Sequence, residues 1–210
     1  MRAILAAIAS DEYAPTAIRD PDEAQRLHVA DSLAALELEP VRAAREIADL
    51  GSGVGFPGIA LAVALPSASV ALVESQRRRC EFLERLCAAG STVNATVVCA
   101  RAEQWSAGVE ANDLVVARAL ASQPVVLEYA APLLRTGGSL IDWRGARVEA
   151  DERAADRAAA ELSLRRVEVL AVTPFDGARD RHLHVFVKTG ATPARFPRRA
   201  GMARKRPLGA

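Results

Sequence analysis

The sequence contains few aromatic residues and few cysteines. Aromatic residues make up 4% of the 210 residues, and the three cysteines are Cys80, Cys87 and Cys99. An odd number of cysteines without the spacing of metal ligands indicates neither a disulfide framework nor a zinc site, and no metal is expected. We predict buried, reduced thiols, with Cys80 and Cys87 on one face of a helix.

Long apolar runs are also missing. None approaches the roughly 20 residues that a membrane helix needs. The start, MRAILAAIASDEY, has an apolar stretch that is too short and too soon followed by acids for a secretory signal peptide, so we expect a cytoplasmic protein without membrane contact. Half of the residues are hydrophobic, which at this length predicts one globular domain, and we expect a monomer.

Lysine is scarce, whereas arginine is abundant. The chain has 25 arginines and two lysines, and its net charge is only +1. Residues 191–210 nevertheless carry a charge of +6 without a single acid, against −5 for the other 190 residues. Such an arm can neutralise phosphates and release their counterions. The alternative is a solubilising or disordered end.

Hydrophobic periodicity divides the chain into an N-terminal helical cover (residues 1–44), an α/β domain (45–190) and the basic arm (191–210). Helices are predicted over 2–13, 21–38, 57–65, 76–89, 122–134 and 147–162, with PLLRTGG as a helix end and glycine stop. Strands are predicted in REIADL, SVALVE, ATVVCA, DLVVARA, SLIDW, LRRVEVLAV and HLHVFVK, the last two paired. This alternation is typical of an α/β fold with a doubly wound, mainly parallel sheet.

The stretch DLGSGVGFPGIAL joins the first predicted strand to its helix through three alternating glycines. Gly51, Gly53 and Gly55 permit positive φ and lack the Cβ atoms that would keep a ligand away from the backbone N–H groups. This turn is the usual ligand site of a doubly wound sheet. Glu74 ends the second strand at the spacing of an acid that accepts hydrogen bonds from ribose hydroxyls.

The turn departs from the dinucleotide-binding pattern G-x-G-x-x-G. Phe56 takes the place of the third glycine, and Asp49 precedes the first, where an acid repels a pyrophosphate and suits a cationic ligand. The form D-x-G-x-G-x-G resembles the first motif of the class I methyltransferases, whose cofactor S-adenosylmethionine carries a sulfonium and no phosphate. This resemblance favours a methyltransferase over a dehydrogenase. A turn that merely packs is disfavoured because Glu74 falls in register.

Further segments make the resemblance more specific. ADLGSGVGFPGIALAV, LVESQRRRCEFLE, VVCARAEQW, DLVVARALAS, APLLRTGG and FPRRAGMARKRPL occur in the order seen in the glucose-inhibited division protein B family, and HVADSL resembles its H-x-x-D-S-L segment. The sequence is identified as a member of this family from about residue 16 onward. The family comprises small-subunit ribosomal RNA methyltransferases that make N7-methylguanosine. The resemblance implies a seven-stranded Rossmann-like fold, S-adenosylmethionine as cofactor and 16S rRNA, free or within the small ribosomal subunit, as partner.

The resemblance also implies residue roles in cofactor binding. Gly51 and Phe56 match contacts in the glycine turn, Ala102 and Glu103 match the pair at the adenine, and Arg118 matches an arginine at the cofactor site. Judged without the family, Glu103 could simply open a helix, and Arg118 could pair with any nearby carboxylate.

On the acceptor side, His28 and Asp31 are the candidates, from their place in HVADSL. The alternative is a histidine that is hydrogen-bonded on an amphipathic helix. Guanine N7 has a lone pair and no proton, so its methylation needs no general base, and we assign none. Catalysis is expected to come from positioning. His182 and His184, on one face of the last strand, are interpreted as structural.

RNA contacts are expected from one strand-end arginine and from the basic arm. These candidates are Arg144, Arg198, Arg199, Arg204, Lys205 and Arg206. The chain departs from the family at YAPTAI (13–18), at Arg144, where lysine is frequent, and at Ala203, where proline is usual. Two other functions stay open: a small-molecule or protein methyltransferase, which would not need the arm, and a noncatalytic sensor, which would bind cofactor and RNA without transferring a methyl group.

Overall fold

The computed structural model describes residues 1–209 and contains a single seven-stranded sheet with helices on both faces. The strands are β1 (Glu46–Leu50), β2 (Ser69–Glu74), β3 (Ala95–Cys99), β4 (Asn112–Arg118), β5 (Leu134–Arg144), β6 (Leu164–Ala171) and β7 (His182–Lys188). Their order is β3-β2-β1-β4-β5-β7-β6, and β7 alone runs in the direction opposite to the other six strands. The predicted α/β fold and all seven strands are confirmed.

The helices follow the predicted alternation. They are α1 (Arg2–Ser10), α2 (Pro21–Ala24), α3 (Asp31–Leu33), α4 (Glu39–Ala43), α5 (Gly58–Ala64), α6 (Arg77–Gly90), α7 (Gln123–Ala130), α8 (Glu149–Glu161) and α9 (Met202–Lys205). A π-helical stretch, Gln25–Ala30, joins α2 to α3, and the 3-10 helix Ala34–Glu37 follows α3. The predicted helix 21–38 is therefore one helical run of changing type. Its start is as expected, since Asp20 Oδ1 accepts from the Glu23 N–H at 2.8 Å.

Two apolar clusters sandwich the sheet. The first contains α1, α5 and α6 together with residues of the N-terminal helices, such as Ile8 and Val29. The second lies on the opposite face and contains α7, α8 and residues of the C-terminal tail. No helix within residues 1–209 is long and apolar enough to cross a membrane.

The prediction for PLLRTGG was wrong. Helix α7 ends at Ala130, and β5 already begins at Leu134, which pairs with Asn112 of β4. The Asn112 side chain fixes this turn, because its Nδ2 donates to the carbonyls of Leu133 (2.9 Å) and Gly108 (3.0 Å). Gly137 has a φ of +86° beside a register shift between β4 and β5, so the glycine bends a strand rather than ending a helix.

The prediction of buried thiols holds for Cys80 only. Its Sγ donates to the Glu74 carbonyl at 3.2 Å, and burial raises its pKa to about 12. Cys87 is half-buried, and Cys99 is exposed because β3 is an edge strand. All three are free thiols, as predicted.

His184 of β7 is buried, and neither of its ring nitrogens has a hydrogen-bond partner among residues 1–209. Burial lowers its pKa to about 4. Because the unfolded chain binds this proton near pH 6.5, protons favour the unfolded state between pH 6.5 and 4. His184 therefore stabilises the fold above this window and less and less as the pH falls through it.

We expect the variant His184→Leu to lose less stability than the wild type between pH 6.5 and 4. Removing one such group flattens the pH dependence by at most about 1.4 kcal/mol per pH unit. The measurement is urea unfolding at a series of pH values. His182→Gln is the matched control because this histidine lies on the same face of β7 but is only half-buried. Parallel curves for His184→Leu and the wild type would contradict the expectation.

Candidate functional site

The glycine turn lies at the carboxyl end of β1, between β2 and β4. Gly51, Gly53 and Gly55 have φ values of +68°, +54° and +98°, as the sequence predicted. The Gly51 N–H donates to the Val73 carbonyl at 2.8 Å, and a Cβ atom on Gly51 would lie only 2.5 Å from Leu120 Cδ1. Glycine is therefore required at position 51 by conformation and by space.

Glu74 connects this turn to the loop after β2. Its Oε1 accepts from the N–H groups of Ser75 (2.7 Å) and Gln76 (2.8 Å), and its Oε2 accepts from Gly53 N–H (3.3 Å). The carboxylate is buried, and Arg79 Nη1 lies 3.8 Å from Oε2. A carboxylate offers about four acceptor positions, and with the Ser75 hydroxyl, which lies 3.5 Å from Oε1, protein donors already occupy four. Glu74 therefore supports the turn.

Asp49 lies beneath the turn. It is buried, and its Oδ2 accepts from the N–H of Gly58 at 3.1 Å, at the start of α5. Burial raises the pKa of this carboxyl to about 6. The side chain holds the start of the helix under the turn, which is a supporting position rather than one on a cavity wall.

A first cavity of about 420 Å³ opens above the turn. Its walls include Gly51, Ser75, Gln76, Ala102, Glu103 and Arg204. Gly51, Ala102 and Glu103 thus line the same cavity. Phe56 is not among its lining residues and stacks on His28 instead. Sequence reasoning missed Leu120 and Tyr129 in these walls. The signal for Leu120 was its place just after the end of β4, but Tyr129 lies inside a helix and carried none.

A second cavity of about 260 Å³ lies on the other side of the β4 end. It is lined by residues that include Asp31, Arg118, Trp143, Arg144, Arg181 and His182. Arg118 and Ala119 face this cavity, whereas Leu120 faces the first. Because Ala119 and Leu120 are consecutive in the chain, the two cavities lie next to each other at the end of β4. Arg181 was not predicted as a site residue.

Arg118 organises the wall of the second cavity. Its Nη1 donates to Asp31 Oδ2 at 2.8 Å, and its Nη2 lies 3.3 Å from His28 Nδ1. The His28 ring stacks on Phe56 with a centroid distance of 5.3 Å, and its Nε2 lies 3.3 Å from Thr16 Oγ1. Burial, followed by the charge of Arg118, lowers the His28 pKa to about 4. His28 is therefore neutral near pH 7.

Asp31 has one carboxylate oxygen to spare. Arg118 binds its Oδ2, and Trp143 Nε1 donates to its backbone carbonyl at 3.0 Å. Its Oδ1 is buried and accepts no hydrogen bond in the part of the chain that the structure describes. An unpartnered buried carboxylate oxygen is unfavourable unless a donor reaches it.

The basic arm is packed against the protein rather than extended. Phe196 and Ala203 are buried in the cluster that contains α7 and α8. Arg198 Nε donates to Glu128 Oε1 at 2.9 Å, and its Nη2 also donates to the Arg206 carbonyl at 2.8 Å. We therefore correct the assignment of Arg198 to RNA binding, because its guanidinium anchors the tail to a fully buried glutamate.

The other predicted RNA contacts lie in different places. Arg199, Lys205 and Arg206 are exposed. Arg144 donates to the Ala121 carbonyl at 2.9 Å and lines the second cavity. Arg204 is exposed as well, and it lines the first cavity. Within residues 1–209, no three metal-ligating side chains lie together.

The fold is that of the class I methyltransferases. The chain superposes on a predicted O-methyltransferase from Agrobacterium tumefaciens with a TM-score of 0.61 and 19% identity, covering 78% of this chain and 82% of that one. It superposes on a fibrillarin pre-rRNA processing protein from Methanococcus jannaschii with a TM-score of 0.60 and 18% identity, covering 75% and 74%. These likenesses describe the fold.

Sequence comparison gives the family. The family model for rRNA small subunit methyltransferase G matches residues 5–184. Ribosomal RNA small subunit methyltransferase G of Rubrobacter xylanophilus is 39% identical over 196 residues, which cover 90% of this chain and 75% of the relative. The Carboxydothermus hydrogenoformans protein of that name is 35% identical over 202 residues, which cover 95% and 86%. The chain belongs to the rRNA small subunit methyltransferase G family, which confirms the resemblance seen in the sequence.

The buried pair of Arg198 and Glu128 gives a prediction for stability. Arg198→Ala leaves the Glu128 carboxylate buried and unpaired, which is expected to destabilise the fold by roughly 3 kcal/mol. Arg199→Ala, one residue away and exposed, is expected to stay within about 0.5 kcal/mol of the wild type. Urea unfolding of both variants checks this. Equal midpoints for both would show that Arg198 does not anchor the tail.

Proposed function

We propose that this chain transfers the methyl group of S-adenosylmethionine to N7 of a guanine in 16S rRNA. The observation that carries the proposal is the pair of adjoining cavities at one edge of the sheet. One lies above a glycine turn backed by a buried acid, and the other is lined by arginines. Family membership and the exposed basic residues of the tail support the same reading.

The first cavity fits the cofactor in size and in chemistry. Its volume of about 420 Å³ falls within the ordinary range of small-molecule sites, roughly 300–1,000 Å³. The buried Glu74 holds the turn through the Gly53 N–H, and Ala102 and Glu103, the residues proposed for the adenine, line the cavity. The backbone of Gly51 itself forms part of the cavity wall. The carboxyl of Asp49 beneath the turn suits a cationic ligand better than a pyrophosphate.

The second cavity is the proposed acceptor site. The cofactor supplies a sulfonium-bound methyl group. The N7 lone pair forms the new bond to the methyl carbon while the sulfur–carbon bond breaks and its electron pair stays on sulfur. Because N7 carries no proton, the neutral His28 has none to remove. Arg118, His28 and Phe56 support one another at this wall, which favours catalysis by positioning.

RNA binding is assigned to the exposed cations. Arg199, Lys205 and Arg206 are free to meet phosphates, and Arg144 and Arg181 lie at the mouth of the acceptor site. Affinity is expected to fall as salt rises, because phosphate neutralisation releases counterions. A ribosomal RNA substrate also implies action in the cytoplasm, and we propose that the chain acts as a monomer.

The test of the function is methyl transfer to unmodified substrate. The full chain is incubated with labelled S-adenosylmethionine and either small ribosomal subunits or naked 16S rRNA, both lacking the modification. Mass spectrometry of the nucleosides is expected to show N7-methylguanosine at one site. Comparing the two substrates shows whether ribosomal proteins are needed.

Two other outcomes would refute the proposal. Binding of S-adenosylhomocysteine without transfer to either substrate would favour a sensor or an enzyme for a small molecule. Binding of NAD instead would favour a dehydrogenase. Deleting residues 195–210 does not separate these functions cleanly, since the tail is packed into the fold.

Asp31 is expected to recognise the guanine. Its unpartnered Oδ1 is an acceptor beside the proposed acceptor site, and guanine presents two donors, N1–H and the N2 amino group. Inosine keeps N7 and N1–H but lacks the N2 amino group. The wild type is expected to prefer guanosine over inosine at the methylated position by about tenfold in kcat/KM, and Asp31→Asn is expected to lower this ratio toward one.

The measurement compares rRNA ligated with guanosine or inosine at the target, in whichever substrate form the wild type accepts. Asp151→Asn, on the exposed face of α8, is the control and should keep the wild-type ratio. If Asp31→Asn slowed both substrates equally, Asp31 would serve only to hold Arg118.

A further inference from the structure

The basic tail approaches the first cavity from the α7 side. Three contacts fix its course: Phe196 is buried, Arg198 pairs with Glu128, and Ala203 of α9 is buried against the same cluster. The tail is therefore held from position 196 to position 203 by packing that does not involve RNA. Its remaining cations are placed by the fold.

Two residues of the cavity wall are bonded directly by this tail. The Gly201 N–H donates to Glu103 Oε1 at 3.1 Å, and Arg204 Nη2 donates to the Leu120 carbonyl at 3.1 Å. Glu103 and Leu120 both line the first cavity, and so do Arg204 itself and Tyr129. Gly201 has a φ of +82°, which turns the chain into α9 at this point.

From these contacts we infer that Arg204 binds the cofactor and is not part of the RNA surface. The inference rests on the cofactor assigned to the first cavity under the proposed function. A guanidinium is planar and weakly hydrated, and it stacks on aromatic rings. In the wall of a cavity that Ala102 and Glu103 also line, it is placed to cover the face of an adenine. The bond to Leu120 holds it there.

This inference divides the arginines and lysine of the tail by function. Arg198 anchors the segment, Arg204 completes the wall of the cofactor cavity, and Arg199, Lys205 and Arg206 remain for phosphates. The sequence shows only a run of positive charge at 204–206. The fold separates these neighbours, because Arg204 lines the cavity and Lys205 does not.

Calorimetric titration of the full-length chain with S-adenosylhomocysteine tests the inference without RNA or catalysis. Arg204→Ala is expected to weaken binding about tenfold. Arg204→Lys is expected to restore little of the affinity, because an ammonium cannot stack as a planar group does. Lys205→Ala, the adjacent control, is expected to bind like the wild type. Glu74→Ala, which removes the buried acid behind the turn, provides a reference for loss of the site.

Each outcome is decisive. If Arg204→Ala binds S-adenosylhomocysteine as tightly as the wild type, the inference is overturned. The same holds if Lys205→Ala weakens binding equally, since the effect would then be one of tail charge. Thermal unfolding of each variant checks the fold, and Arg204→Lys keeps the question answerable if the alanine variant unfolds. A wild type that does not bind the ligand at all would instead overturn the proposed function.

Discussion

The ion pair of Arg118 and Asp31 connects the parts of this molecule that have to meet for function. It joins the end of β4, in the middle of the sheet, to the N-terminal helices that cover it. Both side chains are largely shielded from water, at 15% and 6% exposure. Breaking such a pair by removing one partner leaves an uncompensated charge and destabilises a protein by roughly 3–5 kcal/mol. The cover and the sheet edge therefore depend on each other.

The same pair also links the two cavities. Arg118 reaches His28, His28 stacks on Phe56, and Phe56 ends the glycine turn that borders the first cavity. A displacement of the turn would move Phe56. Through the contacts of Phe56 with His28 and of Arg118 with His28 and Asp31, it would also displace the wall of the second cavity. Phe56 therefore belongs to the glycine-turn motif without lining the first cavity, because its ring packs on His28.

A second buried ion pair holds the C-terminal tail against the fold. Glu128 lies in α7, fully buried, and Arg198 reaches it from the tail. As a result the N-terminal helices and the C-terminal tail are each held to the rest of the fold by an arginine and an acid. Arg204 of the tail is thereby fixed in the wall of the first cavity.

Much of the fold and part of the site could be predicted from the sequence. The seven strands follow from alternating apolar runs, and the positive φ values of Gly51, Gly53 and Gly55 follow from the spacing of the turn. These features are local, so local patterns carry them. The position of Glu74 against Gly53 was also predictable, because parallel neighbouring strands end at the same edge of a sheet.

The remaining features depend on contacts between distant segments. Arg198 and Glu128 are 70 residues apart, and nothing around either residue identifies the other as its partner. The exposure of Cys99 depends on which strand lies at the edge of the sheet, and hydrophobic periodicity does not predict the order of the strands. The start of β5 was missed because PLL, a buried turn, has the composition of a helix end.

The polar groups of the second cavity explain why a site without a general base is a coherent one. Arg118 is held by Asp31 and His28, Arg144 by the Ala121 carbonyl, and the indole N–H of Trp143 by the Asp31 carbonyl. Their orientations are set before any ligand binds, so no reorganisation is needed during the reaction. Methylation of N7 requires no proton transfer; it requires a base held in line with the methyl carbon. If the second cavity is the acceptor site, as proposed, its wall of mutually bonded side chains supplies the rigid alignment that such a reaction demands.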